Sequence, residues 1–219
     1  MSAKLWAEIG MGIYETIYMT LASTLLGYVI GLPLGVVLII TRKGGIRENA
    51  ALNQVLGVIV NILRSIPFLI LMIAIIPFTR FVMGKSYGST ATIVPLTVAA
   101  FPFISRMVES SLSEVDGGVI EAAQAMGATP LQIIRKVYIP EATPSLISGA
   151  AIVATNILGY SAMAGSVGGG GLGAIAINYG YYRFNAQVMV VCIAIMVVLV
   201  QAVQLVGTRL SVKLDHRLR

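Results

Sequence analysis

Side chains that could perform catalysis or bind a metal are scarce in this sequence. His216 is the one histidine, and it lies in a basic stretch near the last residue. A catalytic base or a metal site built on imidazole needs a positioned histidine with partners nearby. A solvated histidine is the simpler interpretation, so we expect no metal, no cofactor and no enzymatic activity.

Three glycines match the spacing G-x-G-x-x-G of nucleotide-binding loops, namely Gly168, Gly170 and Gly173. That spacing indicates nucleotide binding only between a strand and a helix of a Rossmann unit, and the surrounding sequence predicts no such strand. No lysine follows as it does in a phosphate-binding loop. We therefore interpret the glycines as a flexible extracellular turn, and we expect ATP to be bound by another subunit.

Arg64 lies inside an apolar block that runs from Leu56 to Phe78. An ionisable residue inside a membrane span is a functional candidate by default. Because Arg64 is near the start of the block, its long side chain could instead reach back to the membrane interface. The sequence favours this structural role and leaves the functional one open.

The composition identifies a membrane protein. Of the 219 residues, 57% are hydrophobic and only 11% are charged, whereas soluble domains carry about 25% charged residues. The net charge of +6 comes from basic residues beside apolar stretches, which is the pattern of membrane topology rather than of nucleic-acid binding. Cys192 is the single cysteine, so no internal disulfide forms. No small-residue cleavage site follows the first apolar block, and we expect no removable signal peptide.

Five apolar stretches are long enough to cross a bilayer with some tilt. They run from Thr16 to Ile40, Leu56 to Phe78, Thr90 to Val108, Leu146 to Met163 and Ala186 to Val206. We predict an all-α integral membrane protein with five transmembrane helices, in which residues 1–219 form a single domain. A short amphipathic lead from Met1 to Glu15 precedes the first span, and a glycine-rich loop from Gly165 to Phe184 precedes the last.

Two spacings predict contacts between or within the spans. Gly27, Gly31 and Gly35 recur every four residues, which lets another helix approach closely. Arg106 and Glu109 are three residues apart near the end of the third span and could pair on one helix face.

The basic residues fall mainly on one side of this topology. That side holds Arg42, Lys43, Arg47, Arg135, Lys136, Arg209, Lys213, Arg217 and Arg219, and the other holds Lys4, Arg80, Lys85 and Arg183. The excess of basic residues marks the cytoplasm. The N-terminus is therefore expected outside the cell and the C-terminus inside.

A capped helical hairpin is predicted from residue 116 to 140, between the third and fourth spans. Asp116 precedes an alanine-rich run, and Gly127 suits the left-handed residue that commonly ends a helix. Thr129 and Gln132 form a capping box that opens a second helix, which should stop before Pro140. The predicted order is helix, tight glycine turn, helix, on the cytoplasmic side.

The same segment resembles the EAA signature of the permeases of ATP-binding-cassette importers, in Glu121-Ala122-Ala123, in Gly127 and in Ile139-Pro140. The resemblance implies the type I ABC importer permease fold, in which this segment is a coupling helix seated in a groove of the ATPase. The residues expected to couple are Glu121, Ala122, Ala123, Ala125, Met126, Gly127 and Ala128. Alanines leave a narrow helix that can enter a groove, and Glu121 supplies charge near the helix start. An amphipathic hairpin on the bilayer surface is the alternative.

Phrases at residues 61–68, 93–98, 126–130 and 159–165 resemble methionine uptake permeases. This narrower resemblance implies a homodimer in the lipid of the bacterial inner membrane, two cytoplasmic ATP-binding subunits and an extracytoplasmic methionine-binding protein. The alternatives are a permease for another small amino acid or polar solute, and an ATP-independent secondary transporter. The acidic residues lie at or beyond the predicted span ends, so no proton relay is evident, which favours the ATP-driven class.

The fourth span carries the candidate translocation residues. Asn156, Tyr160 and Met163 are four and three residues apart and share a helix face, and Ser161 lies beside them. Their hydrogen-bonding and adaptable apolar groups suit the passage of a zwitterion that carries a thioether. Met163 is the candidate for an apolar constriction between two copies, and helix packing alone is the alternative.

Overall fold

The computed structural model describes residues 3–214, and these residues are helical almost throughout. The α-helices are α1 (Ala3–Thr41), α2 (Ala50–Ser65), α3 (Phe68–Ala74), α4 (Ile76–Met83), α5 (Ser89–Ser113), α6 (Gly117–Ala125), α7 (Pro130–Ile133), α8 (Ile139–Ala164), α9 (Gly171–Ile175) and α10 (Ala186–Leu214). Two π-helical turns, Ile134–Tyr138 and Ala176–Tyr181, and a 3-10 turn, Gly165–Val167, connect some of them. Met1, His216, Arg217 and Arg219 lie outside the described residues.

The predicted lead and the first span form one continuous helix, α1. Its 39 residues extend for about 58 Å, roughly twice the thickness of the hydrocarbon core. The boundary predicted at Glu15 is wrong, because this carboxylate does not end the helix. It accepts the N–H of Gly171 at 2.7 Å, so the charge is satisfied inside the fold.

The glycine stripe of α1 packs against α5, as predicted. A Cβ added to Gly31 would lie 2.8 Å from the Phe101 carbonyl oxygen, and one added to Gly35 would lie 2.6 Å from the Ser105 carbonyl oxygen. These distances are too short for a side chain, so only glycine allows the two backbones to approach this closely. The stripe is therefore used within the chain and is not free to contact a second copy.

The second apolar block is broken rather than continuous. Ile66 has an extended conformation (φ −79°, ψ 122°) because it precedes Pro67, and α2 and α3 meet there at 99°. The described residues contain four helices long and apolar enough to span a membrane, or five spans when this bent pair is counted as one. The all-helical, five-span prediction is confirmed with the second span bent.

The second arm of the hairpin does not stop at Pro140, contrary to the prediction. The chain continues from α7 through the π-helical turn Ile134–Tyr138 into α8. In this turn the Ile139 N–H donates to the carbonyl of Ile134, five residues back. The wider π turn changes the hydrogen-bond register just before the proline, so the missing N–H and the bulky ring of Pro140 are tolerated.

The glycine-rich loop from Gly165 to Phe184 is not a flexible turn, and that prediction is wrong. It folds into short helical pieces that include α9, and Gly171 and Leu172 are buried. A Cβ on Gly173 would overlap the backbone of Ala162 at the end of α8. The glycines serve close packing, a role that composition alone does not distinguish from flexibility.

Two hydrophobic clusters hold the helices together. The larger one joins α1, α5 and α8 through side chains such as Met19, Ile104 and Ile157. The smaller one joins the start of α1, α9 and α10, and Cys192 lies in it. The last span is longer than predicted because α10 continues to Leu214, through the helix-favouring basic residues Arg209 and Lys213.

Candidate functional site in a capped hairpin and an exposed helix face

The predicted turn of the hairpin is present and is closed by backbone hydrogen bonds. The Asp116 carboxylate accepts a backbone N–H at 2.6 Å at the start of α6. Gly127 has φ +79°, its N–H donates to the Gln124 carbonyl at 2.9 Å, and the next N–H donates to the Ala123 carbonyl at 3.0 Å. This is a Schellman ending, which needs a left-handed residue that glycine adopts without strain. The predicted cap and turn are confirmed.

A capping box starts the second arm, again as predicted. The Thr129 N–H donates to Oε1 of Gln132 at 2.8 Å, and the Gln132 N–H donates to Oγ1 of Thr129 at 3.4 Å. Pro130 occupies the first helical position, where its missing N–H removes no helical bond. Because both arms are capped locally, the tip of the hairpin has a defined geometry.

The hairpin has one side against the protein and one exposed side. Ile120, Ala123 and Ile133 are buried in the larger cluster. At the tip, Met126 is 81% exposed and Leu131 is 56% exposed. Two large apolar side chains on a rigid tip form an unpartnered surface of the kind that enters a groove on another protein.

Two residues of the predicted coupling set are placed differently from expectation. Ala123 is buried and packs the hairpin onto the core instead of facing outward. Glu121 is exposed, as a coupling residue should be. Because α6 begins at Gly117, Glu121 lies in the second turn, so the prediction that it supplies charge near the helix start is wrong. Ala128 is half-buried. The exposed members are Glu121, Ala122, Ala125, Met126 and Gly127.

The exposed face of α8 carries three of the four predicted pathway residues. Asn156 is exposed and donates to the Ile152 carbonyl at 3.1 Å, and Met163 is 48% exposed. The half-buried ring of Tyr160 stacks on Phe68 with 4.7 Å between ring centroids, which ties this face to α3. A contact of this kind is not visible in the sequence, because it depends on the bend before α3.

Ser161 does not lie on this face. It is buried, and its hydroxyl donates to the Leu158 carbonyl at 2.7 Å. One residue along a helix rotates the side chain by about 100°, so Ser161 points into the protein while Tyr160 points out. We therefore leave Ser161 out of the candidate pathway.

The predicted ion pair of Arg106 is confirmed and has further partners. Its guanidinium lies 2.6 Å from a Glu109 oxygen and also donates to the Gly57 carbonyl and to Oδ1 of Asn61, both at 3.0 Å. These bonds connect α5 to α2. The charge of Arg106 is thus fully engaged within the chain.

The end of the molecule that holds the amino terminus of α1 is fixed by acidic and aromatic side chains. Glu15 binds the Gly171 N–H, and Oγ1 of Thr16 accepts the Leu172 N–H at 2.9 Å. Nearby, a hydrogen bond to Glu8 raises the pKa of Tyr179 above its usual value. These contacts seat the glycine-rich segment on α1.

The residues that the structure describes contain no cluster of three or more histidine, cysteine, aspartate or glutamate side chains that could hold a metal ion. Several of their acidic side chains engage local partners, such as the backbone for Glu15 and Arg106 for Glu109. The two surfaces with a distinctive arrangement are therefore the hairpin tip and the exposed face of α8.

The chain is similar to known transport proteins. The sequence profile of the family described as binding-protein-dependent transport system inner membrane component matches residues 27–219. The probable D-methionine transport system permease protein MetI of Pasteurella multocida is 48% identical over 99% of this chain and 100% of its own length. The D-methionine transport system permease protein MetI of Escherichia coli K12 is 53% identical over 75% of this chain and 76% of its own. A crystal form of the MetNI methionine ABC transporter in inward facing conformations contains a chain with a TM-score of 0.97 and 50% identity, covering 99% of this chain and 100% of that one.

Proposed function

This chain belongs to the family of binding-protein-dependent transport system inner membrane components, and we propose that it is the permease subunit of an ATP-driven methionine importer. It is a transport permease and not itself an enzyme. In this family the ATPase activity resides in a partner subunit. Its relatives named for D-methionine transport support methionine as the solute.

The observation that carries the proposal is the capped hairpin with its exposed apolar tip. A secondary transporter has no need of a rigid docking element on one side of the membrane. An ATP-driven permease needs one, because the movement of the ATPase must be transmitted mechanically to the spans. The exposed residues from Glu121 to Gly127 supply a narrow helix flanked by Met126, which suits insertion into a groove.

The proposed function implies partners on both sides of the membrane. Two ATP-binding subunits bind the hairpins on the cytoplasmic side, and a methionine-binding protein delivers the solute outside. The excess of basic residues on the hairpin side supports this orientation, with the N-terminus outside and the C-terminus in the cytoplasm.

We expect the chain to function as a homodimer. The α2 helix buries only Val60, and the exposed face of α8 carries Asn156 and Gly159, which are too polar or too small to face lipid favourably. A second copy placed against these faces would cover them. Native mass spectrometry of the purified complex should give two copies of this chain, and a monomer that is competent in transport would contradict the dimer.

Met163 is the proposed apolar gate of the pathway, with Asn156 and Tyr160 beside it. In a chain with Cys192 replaced by alanine, cysteines at positions 156, 160 and 163 should react with a small polar thiol reagent at rates that change with ATP and binding protein. A cysteine replacing the buried Ser161 is the matched control and should react slowly in every state. Uniform rates in all states, with unchanged transport in Met163→Ala, would move the pathway to another helix.

The proposal is tested by complementation. A bacterial strain that lacks its own methionine permease but keeps the ATPase and binding protein should regain uptake of labelled methionine when it expresses this chain. A permease for a different small amino acid would leave the uptake of labelled methionine unrestored. Uptake restored in a strain that also lacks the ATPase would indicate a secondary transporter.

A further inference from the structure

A cavity of about 210 Å³ lies where the bent second span meets α5 and α8. Its lining combines one basic side chain with apolar and aromatic ones, namely Arg64, Leu63, Ile66, Phe68, Phe103 and Tyr160. The break in the helix at Ile66 forms part of the wall. Non-helical backbone at membrane depth is tolerated where it lines a cavity, and interrupted helices commonly mark solute sites in transporters.

Arg64 lies beside the break between α2 and α3. Because α2 begins at Ala50, Arg64 lies in the last turn, about 21 Å along the axis from the first residue. The guanidinium lies over the Phe103 ring, 5.7 Å from its centroid.

The charge of Arg64 is not neutralised by any carboxylate in the part of the chain that is described. This contrasts with Arg106, whose guanidinium binds Glu109, Gly57 and Asn61. Arg64 is exposed in the single chain, so its guanidinium is accessible, and a guanidinium pairs well with a carboxylate.

We propose that this cavity is a solute site in which Arg64 binds the carboxylate of an amino acid with an apolar side chain. The walls formed by Phe68, Phe103 and Leu63 accept an apolar or thioether side chain. The aromatic faces, with Tyr160, stabilise the ammonium group. Because Tyr160 also borders the exposed face of α8, the cavity opens beside the proposed pathway. This site rests on the proposed function and assigns a position to the solute within it.

The test uses cysteine protection in the reconstituted complex with its ATPase subunits. Ala99 also lines the cavity, so Ala99→Cys with Cys192→Ala provides a reporter thiol. Methionine should slow its reaction with a small polar thiol reagent, and methioninamide, which lacks the carboxylate, should not. Adding Arg64→Gln should weaken the protection by methionine roughly 10- to 100-fold, and Arg64→Lys should keep most of it.

Arg80→Gln is the matched control, because Arg80 is an exposed arginine in α4 that does not line the cavity. It should leave protection unchanged. Equal protection by methioninamide, unaltered protection in Arg64→Gln, or no protection by methionine would overturn the assignment. ATP-driven methionine uptake by the same proteoliposomes separates the two questions: uptake without protection refutes only this site, whereas absence of uptake in the unmodified complex refutes the proposed function.

Discussion

Replacing Gly127 by valine is expected to reduce association with the ATPase, and transport with it, at least roughly tenfold while leaving membrane insertion intact. Gly127 has φ +79°, and a branched side chain in the left-handed region costs about 1–2 kcal/mol or more. A Cβ at this position meets no atom within 4 Å, so the effect is conformational and not steric. The Schellman turn should open, and the docked form should become at least roughly tenfold less populated. Co-purification of the ATPase measures the association, and ATP-dependent uptake measures the transport.

Gly127→Asn is the matched control for strain. Asparagine tolerates the left-handed conformation far better than valine, so this variant should keep most of its transport. If Gly127→Val bound the ATPase and transported as well as the unmodified chain, the coupling assignment would be wrong.

Ala125→Trp tests the same surface by adding bulk instead of backbone strain, and it should reduce association with the ATPase. Ala122→Trp should have the same effect. Both alanines are exposed on α6, so tryptophan is accommodated in the isolated chain but would fill the groove of the partner. Ala186→Trp, at an exposed alanine at the start of α10, should have no effect on ATPase binding. An equal loss of ATPase binding in Ala186→Trp and in the α6 variants would indicate general instability.

The second large effect is a loss of stability expected for Gly173→Ala, which adds a single methyl group. The added Cβ would overlap the backbone of Ala162, and backbone atoms cannot move aside as a flexible side chain can. Overpacking of this kind costs about 1–3 kcal/mol, so the thermal midpoint in detergent should fall clearly or the yield of folded protein should collapse.

Gly10→Ala is the control for this prediction. Gly10 lies on the exposed side of α1, and an added Cβ meets nothing within 4 Å. Alanine is the better helix former by about 1 kcal/mol, so the midpoint should stay the same or rise slightly. A Gly173→Ala variant as stable as Gly10→Ala would contradict the close approach of the glycine-rich segment to α8.

Local signals in the sequence were sufficient for the caps of the hairpin. The cap at Asp116, the turn at Gly127 and the box between Thr129 and Gln132 each depend on residues fewer than six positions apart. The hydrogen bonds that close them therefore depend little on the rest of the fold. The packing of the glycine stripe was also predictable, because its four-residue spacing has few other uses in a span.

Features that depend on the surroundings were not predictable in the same way. Pro140 normally ends a helix, and only the π-helical turn before it lets α8 begin there. The glycines near Gly171 indicate either a flexible turn or close packing, and the choice depends on α1 and α8 lying next to them. The polar start of α2 hid six residues of helix, so α2 begins at Ala50 and not at Leu56.

The most direct test of the account is methionine uptake into proteoliposomes that contain this chain together with its cognate ATP-binding subunits. With the methionine-binding protein outside the vesicle and ATP on the side of the hairpin, labelled methionine should accumulate against its gradient. Uptake should cease when ATP is replaced by a non-hydrolysable analogue, and it should fall at least roughly tenfold when the chain carries Gly127→Val. Accumulation that persists without ATP hydrolysis and follows an ion gradient would contradict the central claim.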